Sequence, residues 1–197
     1  MHVDYYASLN SPWTYLGAAR IEAMCAKHDA TLKFWPVDFG LIFSASGGLP
    51  LPKRSPQRQT YRMMELLRWR DAVGVPLTLQ PRYFPFPEAP LAQAVIALRE
   101  TQGNPPAMAL AHRILQALWA EDRDPVAEFD ALAAECGLDG PAVLAQGADA
   151  RWAAMRQGDS EAALARGVFG APSYVIEGEI FWGQDRLDFV ERRLAAG

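Results

Sequence analysis

The chain begins with a strand followed at once by a helix, in residues 3–16, VDYYASLNSPWTYL. Residues 3–7 are short, aromatic and β-branched, which predicts a strand. Ser11 has the side chain of a helix N-cap, and Pro12 suits the first helical turn because its missing N–H would be unpaired there. Apolar residues at helical spacing follow, and residues 31–38 then predict a second strand. The chain therefore opens as β-α-β.

The other end of the chain returns to a strand pattern. Residues 173–176 and 180–182 are aliphatic and aromatic, and the turn residues 177–179 between them predict a β-hairpin. Residues 185–195 place their apolar positions on one helical face. The C-terminal part therefore predicts β-β-α.

Between these two parts the pattern is a loop followed by helices. Residues 40–56 are rich in Gly, Pro and Ser, which predicts a loop that includes the active site, and residues 136–140 predict a break. Helical spacing predicts five helices, over residues 61–73, 89–99, 107–121, 125–135 and 147–165. The fold class is α/β, with a sheet domain formed by residues 1–40 and 166–197 and a long all-helical insertion in residues 41–165.

Composition and charge exclude several classes of protein. Half of the 197 residues are hydrophobic and 21% are charged, which is typical of one soluble globular unit. The net charge of −4, with no basic stripe, argues against nucleic acid as a partner. The N-terminus lacks the pattern of a signal peptide, and no apolar run is long enough to cross a bilayer, so we expect a cytoplasmic protein with no membrane partner. Scattered histidines and two distant cysteines predict no metal site and no CxxC redox pair.

Short segments at element junctions have residues that can bind an anion or a peptide. Ser11 begins a helix, where backbone N–H groups and the helix dipole favour a thiolate; alternatively, Ser11 is only an N-cap. An X-Pro bond at Ala171-Pro172 can be cis, which would leave the Ala171 backbone free to pair with an extended ligand, or it can be an ordinary trans turn. Asp185 can accept a hydrogen bond from a ligand ammonium or cap the last helix.

Three segments taken together resemble one family: residues 11–16 (SPWTYL), 167–172 (GVFGAP) and 181–187 (FWGQDRL). The chain is similar to 2-hydroxychromene-2-carboxylate isomerases, a group related to kappa-class glutathione transferases and DsbA-type oxidoreductases. The resemblance extends over the whole chain. It implies a thioredoxin-like fold with a helical insertion, glutathione as cofactor, a small aromatic carboxylate as substrate, and a homodimer.

The resemblance also implies roles for single residues. Ser11 matches the serine that replaces the nucleophilic cysteine of DsbA relatives and supports the glutathione thiolate, and Thr14 stands at the second cysteine. Ala171 precedes the proline that relatives hold in cis, and its backbone would pair with the cysteinyl part of glutathione. Gln184 and Asp185 match the positions that bind the γ-glutamyl end.

Further positions complete the implied glutathione site. Pro12 and Trp13 accompany Ser11 there, and Pro172 follows Ala171. Arg58 falls near a basic position that faces the glycyl carboxylate or the substrate acid. Together with Lys53 and Arg54 it follows the Gly/Pro-rich loop, where these side chains could hold a carboxylate or form a solvated charge run. Gly48 stands where relatives often carry Asn, so a side-chain amide is missing there.

The implied reaction converts 2-hydroxychromene-2-carboxylate to trans-o-hydroxybenzylidenepyruvate by reversible addition of the thiolate, without net redox change. One alternative is a glutathione transferase that conjugates an electrophile. A second is a non-catalytic thioredoxin-fold binding module in which Ser11 only caps its helix. Disulfide exchange is disfavoured, because the chain has no CxxC.

Overall fold

Four strands form one mixed sheet in the computed structural model, which describes residues 1–197. The strands are β1 (His2–Ala7), β2 (Thr31–Pro36), β3 (Ser173–Ile176) and β4 (Glu179–Trp182), in the order β2-β1-β3-β4. The helices are α1 (Pro12–Lys27), α2 (Phe39–Ser46), α3 (Pro56–Val73), α4 (Ala89–Gln102), α5 (Asn104–Trp119), α6 (Phe129–Glu135), α7 (Gly140–Gly147), α8 (Ala150–Ala165) and α9 (Leu187–Ala195).

The sheet is built around β1 and places the start of α1 at one end of it. Strand β1 pairs with β2 in parallel and with β3 in antiparallel register, so Tyr5 lies between Phe34 and Tyr174. The Tyr5 ring stacks on Tyr174 at 5.1 Å between centroids and meets the edge of Phe34 at 5.2 Å. These buried aromatic contacts fix the register of the central strand, and therefore the position of the loop that leads to Ser11.

The insertion and the sheet share one hydrophobic core. Val3 and Tyr174 of the sheet belong to the same buried cluster as Leu98 of α4 and Leu115 of α5. The helical part therefore packs onto the sheet through a continuous apolar contact. The division at residues 40/41 and 165/166 stays a prediction.

Helix α2 corrects the prediction of a loop over residues 40–56. The Asp38 carboxylate accepts hydrogen bonds from the N–H groups of Gly40 and Leu41, which caps the helix at its start. Gly47, with φ of 76°, ends it in the left-handed conformation that glycine adopts without strain. An N-cap and a C-terminal glycine thus outweigh a composition typical of loops.

Helix boundaries elsewhere in the insertion also differ from the prediction. Helix α7 spans Gly140–Gly147, between the break predicted over residues 136–140 and the helix predicted over residues 147–165. It forms there because Asp139 caps its start and Pro141 fits its first turn. Helix α3 begins earlier than predicted, at Pro56, and α6 begins later, at Phe129. None of the helices has the length and apolar character that crossing a bilayer requires.

Candidate active site

Three adjoining cavities meet at Trp13, beside the N-terminus of α1. Their volumes are about 470, 390 and 340 Å³, and we call them the first, second and third cavity. Every predicted site residue except the buried Pro172 lines one of them: Ser11, Pro12, Trp13, Gly48, Arg58 and Ala171 in the first, and Gln184 and Asp185 in the third. Trp13 and Ala171 belong to both, so the structure brings the two halves of the predicted site together.

Ser11 both caps α1 and offers a hydrogen-bond donor to the first cavity. Its Oγ accepts a hydrogen bond from the N–H of Thr14 at 3.2 Å, which is the predicted cap. The Ser11 hydroxyl donates to no group of the chain, and the N–H of Trp13 is likewise without an acceptor. Because the helix dipole adds positive potential at the same place, this corner favours an anion.

The loop before Ser11 is held by an acidic side chain from the insertion. The hydroxyl of Ser8 and the N–H of Asn10 donate to the same carboxylate oxygen of Glu88, at 2.7 and 3.1 Å. The Asn10 side chain also exchanges two hydrogen bonds with the backbone of Phe86, at 2.9 and 3.1 Å. The position of Ser11 therefore depends on residues about 80 positions away in sequence.

Arg156 completes this anchor from α8. Its Nη2 donates to Glu88 Oε1 at 2.9 Å and to the Val37 carbonyl at 3.3 Å, and its Nε donates to the Pro36 carbonyl at 3.2 Å. Burial raises the pKa of Glu88, and the charge of Arg156 and the hydroxyl of Ser8 oppose that rise. No local sequence pattern relates these residues, so the sequence did not predict this network.

The Ala171-Pro172 peptide bond is cis, as the resemblance implied. Neither the N–H nor the carbonyl of Ala171 has a hydrogen-bond partner in the chain, whereas the Pro172 carbonyl accepts from the N–H of Gly183 at 2.8 Å. Next to it, a Cβ at Gly170 would collide with the indole of Trp182, so glycine lets that ring close one side of the cavity. The Ala171 backbone is thus available to a ligand.

Of the two roles that the sequence left open for Asp185, the cap of the last helix is not observed. Asp185 lies in a 3-10 turn over residues 184–186, makes no capping hydrogen bond, and has its carboxylate 3.2 Å from Arg186 Nη1. Its neighbour Gln184 is buried, and its side-chain carbonyl accepts from Arg20 of α1 at 2.7 Å. Asp185 therefore presents a partly exposed carboxylate to the third cavity, while Gln184 ties that cavity to α1.

The packing around Gly48 explains why this position carries no side chain. A Cβ at this position would collide with the ring of Phe43, which itself lines the first cavity. An asparagine here would therefore require Phe43 to move. The missing amide is accompanied by an aromatic side chain, and the cavity is correspondingly more apolar on this side.

Three arginines line the first cavity, and no acidic side chain does. Arg54 Nε donates to the carbonyl of Leu49 at 2.8 Å, Arg58 is exposed, and the Arg62 guanidinium lies over the ring of Phe84 at 5.5 Å. Burial, with Arg54 nearby, lowers the pKa of Arg62 to about 10. Burial, with Arg58 nearby, also lowers the pKa of Arg54. Arg62 was not among the predicted site residues, although its spacing of four residues from Arg58 places both on one helical face.

Aromatic rings form much of the remaining wall. They come from the start of α1, from α2, from the segment before α4, from the segment before the cis peptide bond and from the end of β4: Trp13, Phe39, Phe43, Phe84, Phe169 and Trp182. Together with the arginines, they make a cavity suited to a flat, negatively charged molecule. No group of three or more His, Cys, Asp or Glu side chains is placed to hold a metal ion.

Comparison with known protein families gives a match over residues 2–195 to the model described as the DSBA-like thioredoxin domain. The chain belongs to the DSBA-like thioredoxin domain family. This family membership confirms the predicted thioredoxin-like fold, here with a helical insertion between β2 and β3.

Relatives within the DSBA-like family are similar to this chain over nearly its whole length. The 2-hydroxychromene-2-carboxylate isomerase of Sphingobium xenophagum is 30% identical over 98% of this chain and 97% of its own length. That of Pseudomonas putida is 26% identical over 97% and 93%. The chain therefore belongs with the 2-hydroxychromene-2-carboxylate isomerases, and the names of these relatives support the interpretation that it is an isomerase.

Solved structures of DSBA-like proteins show the same fold. The structure of a 2-hydroxychromene-2-carboxylate isomerase superposes with a TM-score of 0.85 at 24% identity, covering 100% of this chain and 95% of the other. The cytosolic disulfide reductase DsbM of Pseudomonas aeruginosa, solved with GSH, gives a TM-score of 0.66 at 21% identity, covering 99% and 100%.

Proposed function

We propose that this protein is a glutathione-dependent isomerase that converts 2-hydroxychromene-2-carboxylate to trans-o-hydroxybenzylidenepyruvate. The observation that carries the proposal is the first cavity, which unites a serine O–H without an acceptor at a helix N-terminus, three arginines without a carboxylate partner, and aromatic walls. Its relatives are named for this substrate. An aromatic acid matches both the charge and the shape of such a cavity.

The residues present fit glutathione. The unpaired N–H and carbonyl of Ala171 suit the backbone of an extended peptide, and the Asp185 carboxylate suits the ammonium of a γ-glutamyl group. Arg58 is without a carboxylate partner in the chain and suits the glycyl carboxylate. GSH is present in the solved structure of DsbM, a protein of this fold.

Ser11 and the first turn of α1 would act on the thiol. When bound, glutathione supplies a sulfur nucleophile that can add reversibly to an unsaturated carbon. The Ser11 hydroxyl and the Trp13 N–H are the unpaired donors at this helix N-terminus, so they stabilise negative charge on sulfur and lower the thiol pKa. Ser11 itself forms no covalent bond in this scheme.

The anchor formed by Glu88 and Arg156 would keep this donor in place. Because Ser8 and Asn10 donate to Glu88, movement of the loop before Ser11 away from the cavity would break charge-assisted hydrogen bonds. A donor fixed before the ligand arrives costs little reorganisation when charge develops on sulfur.

The experiment is a turnover assay with 2-hydroxychromene-2-carboxylate, followed by absorbance, with glutathione far below the substrate concentration. We expect turnover that requires glutathione and leaves the free thiol count unchanged. Loss of one thiol per product would contradict isomerisation and indicate a transferase. If calorimetry detects no glutathione binding, both enzyme interpretations fail and a binding module remains.

A further inference from the structure

The three arginines of the first cavity differ from the other arginines of the chain in their partners. Apart from Arg192, every arginine elsewhere has a carboxylate oxygen within 4.0 Å. Arg54, Arg58 and Arg62 have none. Glu65 lines the adjoining second cavity, but its carboxylate is bound to Arg68. Three neighbouring positive charges are therefore left for an external anion.

The three positions are not equivalent. Arg58 is exposed on α3, whereas Arg54 and Arg62 are partly buried. Burial destabilises an unpaired positive charge, and it is the main cause that lowers the pKa values of both guanidiniums. A neighbouring positive charge lowers each pKa further: that of Arg58 acts on Arg54, and that of Arg54 acts on Arg62. An anion that binds between them relieves both costs, so it gains more there than at Arg58.

Their surroundings suit a carboxylate joined to an aromatic ring. The central carbon of the Arg62 guanidinium lies 5.5 Å from the ring centroid of Phe84 and 5.8 Å from that of Trp119, so aromatic rings flank this positive charge. Arg54 uses Nε for the carbonyl of Leu49, and its two terminal nitrogens have no acceptor in the chain. Arg62 Nη1 donates only to the Met63 sulfur, a weak acceptor, at 3.8 Å. Planar guanidiniums whose terminal nitrogens lack strong acceptors can bind carboxylates in two-point geometry.

We propose that Arg54 and Arg62 form the binding site for the carboxylate of the aromatic substrate, with its ring beside Phe84, and that Arg58 is not part of this site. The inference rests on the proposed function, because it takes an aromatic acid as substrate. It adds the residues that select the acid over a neutral analogue. Arg58 is then free for the glycyl carboxylate of glutathione.

The test is calorimetric titration, without glutathione, of trans-cinnamate and of its uncharged amide into the wild type and three variants. In Arg62→Met we expect the affinity for trans-cinnamate to fall at least about tenfold, and the preference for the acid over the amide to disappear. In Arg58→Gln the affinity should change by less than about threefold. Arg70→Gln is the matched control, because Arg70 is on the same helix, is paired with Asp71 and lines none of the three cavities.

Further outcomes decide the inference. Unchanged affinity in Arg62→Met, an equal loss in Arg58→Gln, or no binding of trans-cinnamate to the wild type up to about 10 mM would each overturn it. If Arg62→Met folds poorly by circular dichroism, Arg62→Lys replaces it, and we expect a smaller loss because a point charge replaces a planar fork.

Failure of this inference is distinguishable from failure of the proposed function. If the wild type binds trans-cinnamate through Arg62 but does not bind glutathione, the carboxylate site stands and the isomerase proposal falls. If glutathione-dependent turnover occurs and Arg62→Met leaves the KM for the acid unchanged, the isomerase proposal stands and this inference falls.

Discussion

Two groups of charged side chains belong to the surroundings of the first cavity, and they differ in their partners. Glu88 and Arg156 do not line the cavity but bind each other and hold its lining residues, whereas the arginines that line it bind no acidic group of the chain. The anchored side comprises Ser8, Asn10 and Ser11, fixed through Glu88 and Arg156. The arginine side comprises the unpaired guanidiniums of residues 54, 58 and 62. Satisfied charges hold structure in place, whereas unsatisfied ones become satisfied only when a ligand binds. We therefore expect substitutions on the anchored side to cost stability, and those on the arginine side to cost affinity.

The largest effect should come from Arg156→Met, which removes the partner of a buried carboxylate. We expect a loss of about 3 kcal/mol or more in the free energy of unfolding near pH 7, because the buried Glu88 carboxyl loses its charged partner. Denaturant unfolding measures this loss. Arg151→Met on the same helix, where the arginine is exposed and paired only with Asp149, should change stability by less than about 0.5 kcal/mol.

The loss in Arg156→Met should depend on pH in a defined direction. Burial raises the pKa of Glu88 in the native state, and removal of Arg156 raises it further. The native state therefore retains the proton to higher pH than the unfolded state does, so the variant is most stable below the unfolded pKa and loses stability as the pH rises through the native one. A variant whose deficit is the same at acidic and neutral pH would contradict this account of the anchor.

A smaller effect on stability, together with a loss of turnover, should come from Ser11→Ala. It removes one donor to the sulfur, so we expect glutathione-dependent turnover to fall about a hundredfold. It also removes an N-cap, so stability should fall by about 1 kcal/mol. Asp139→Ala is the matched control, since it removes the cap of α7 away from the cavities. Equal loss of turnover in both variants would mean that Ser11 acts only as a cap.

The smallest effect on stability should come from Arg58→Gln, on the arginine side. Without ligand, the free energy of unfolding should change by less than about 0.5 kcal/mol, because the guanidinium is exposed and unpaired. Affinity for glutathione should fall about fivefold, while affinity for γ-glutamylcysteine, which lacks the glycyl carboxylate, should not change. Calorimetry with both thiols measures the difference, and an equal loss for the two would remove Arg58 from the glycyl site.

The same contrast explains what the sequence could reveal. Ser11 and the cis bond before Pro172 lie in short segments, where residue types alone left a simple N-cap and an ordinary trans turn open. The resemblance to a known family was what favoured the anion site and the cis bond. Helix α2 was not predicted because the Gly, Pro and Ser content of the segment favoured a loop, although Asp38 is the N-cap of a helix there. The anchor was missed for a different reason: the contact between Ser8 and Glu88 exists only after the insertion packs on the sheet.

Arg62 is an intermediate case. Its spacing from Arg58 was visible, but an exposed charged helix has the same spacing. Only the structure distinguishes the two cases, because it shows that the guanidinium lies over Phe84 and has no carboxylate partner. Asp185 shows the reverse: residue type favoured a cap, and the local turn supplies no backbone N–H for it.

The concentration of unpaired positive charge in one cavity of an acidic chain has a kinetic consequence. At physiological ionic strength, electrostatic fields decay over about 8 Å, so an approaching anion is neither repelled far out by the net charge nor drawn in from a distance by the arginines. Encounter is then governed by diffusion, and selection begins at the cavity mouth. Acids of equal charge should enter at similar rates and be distinguished by how long they stay.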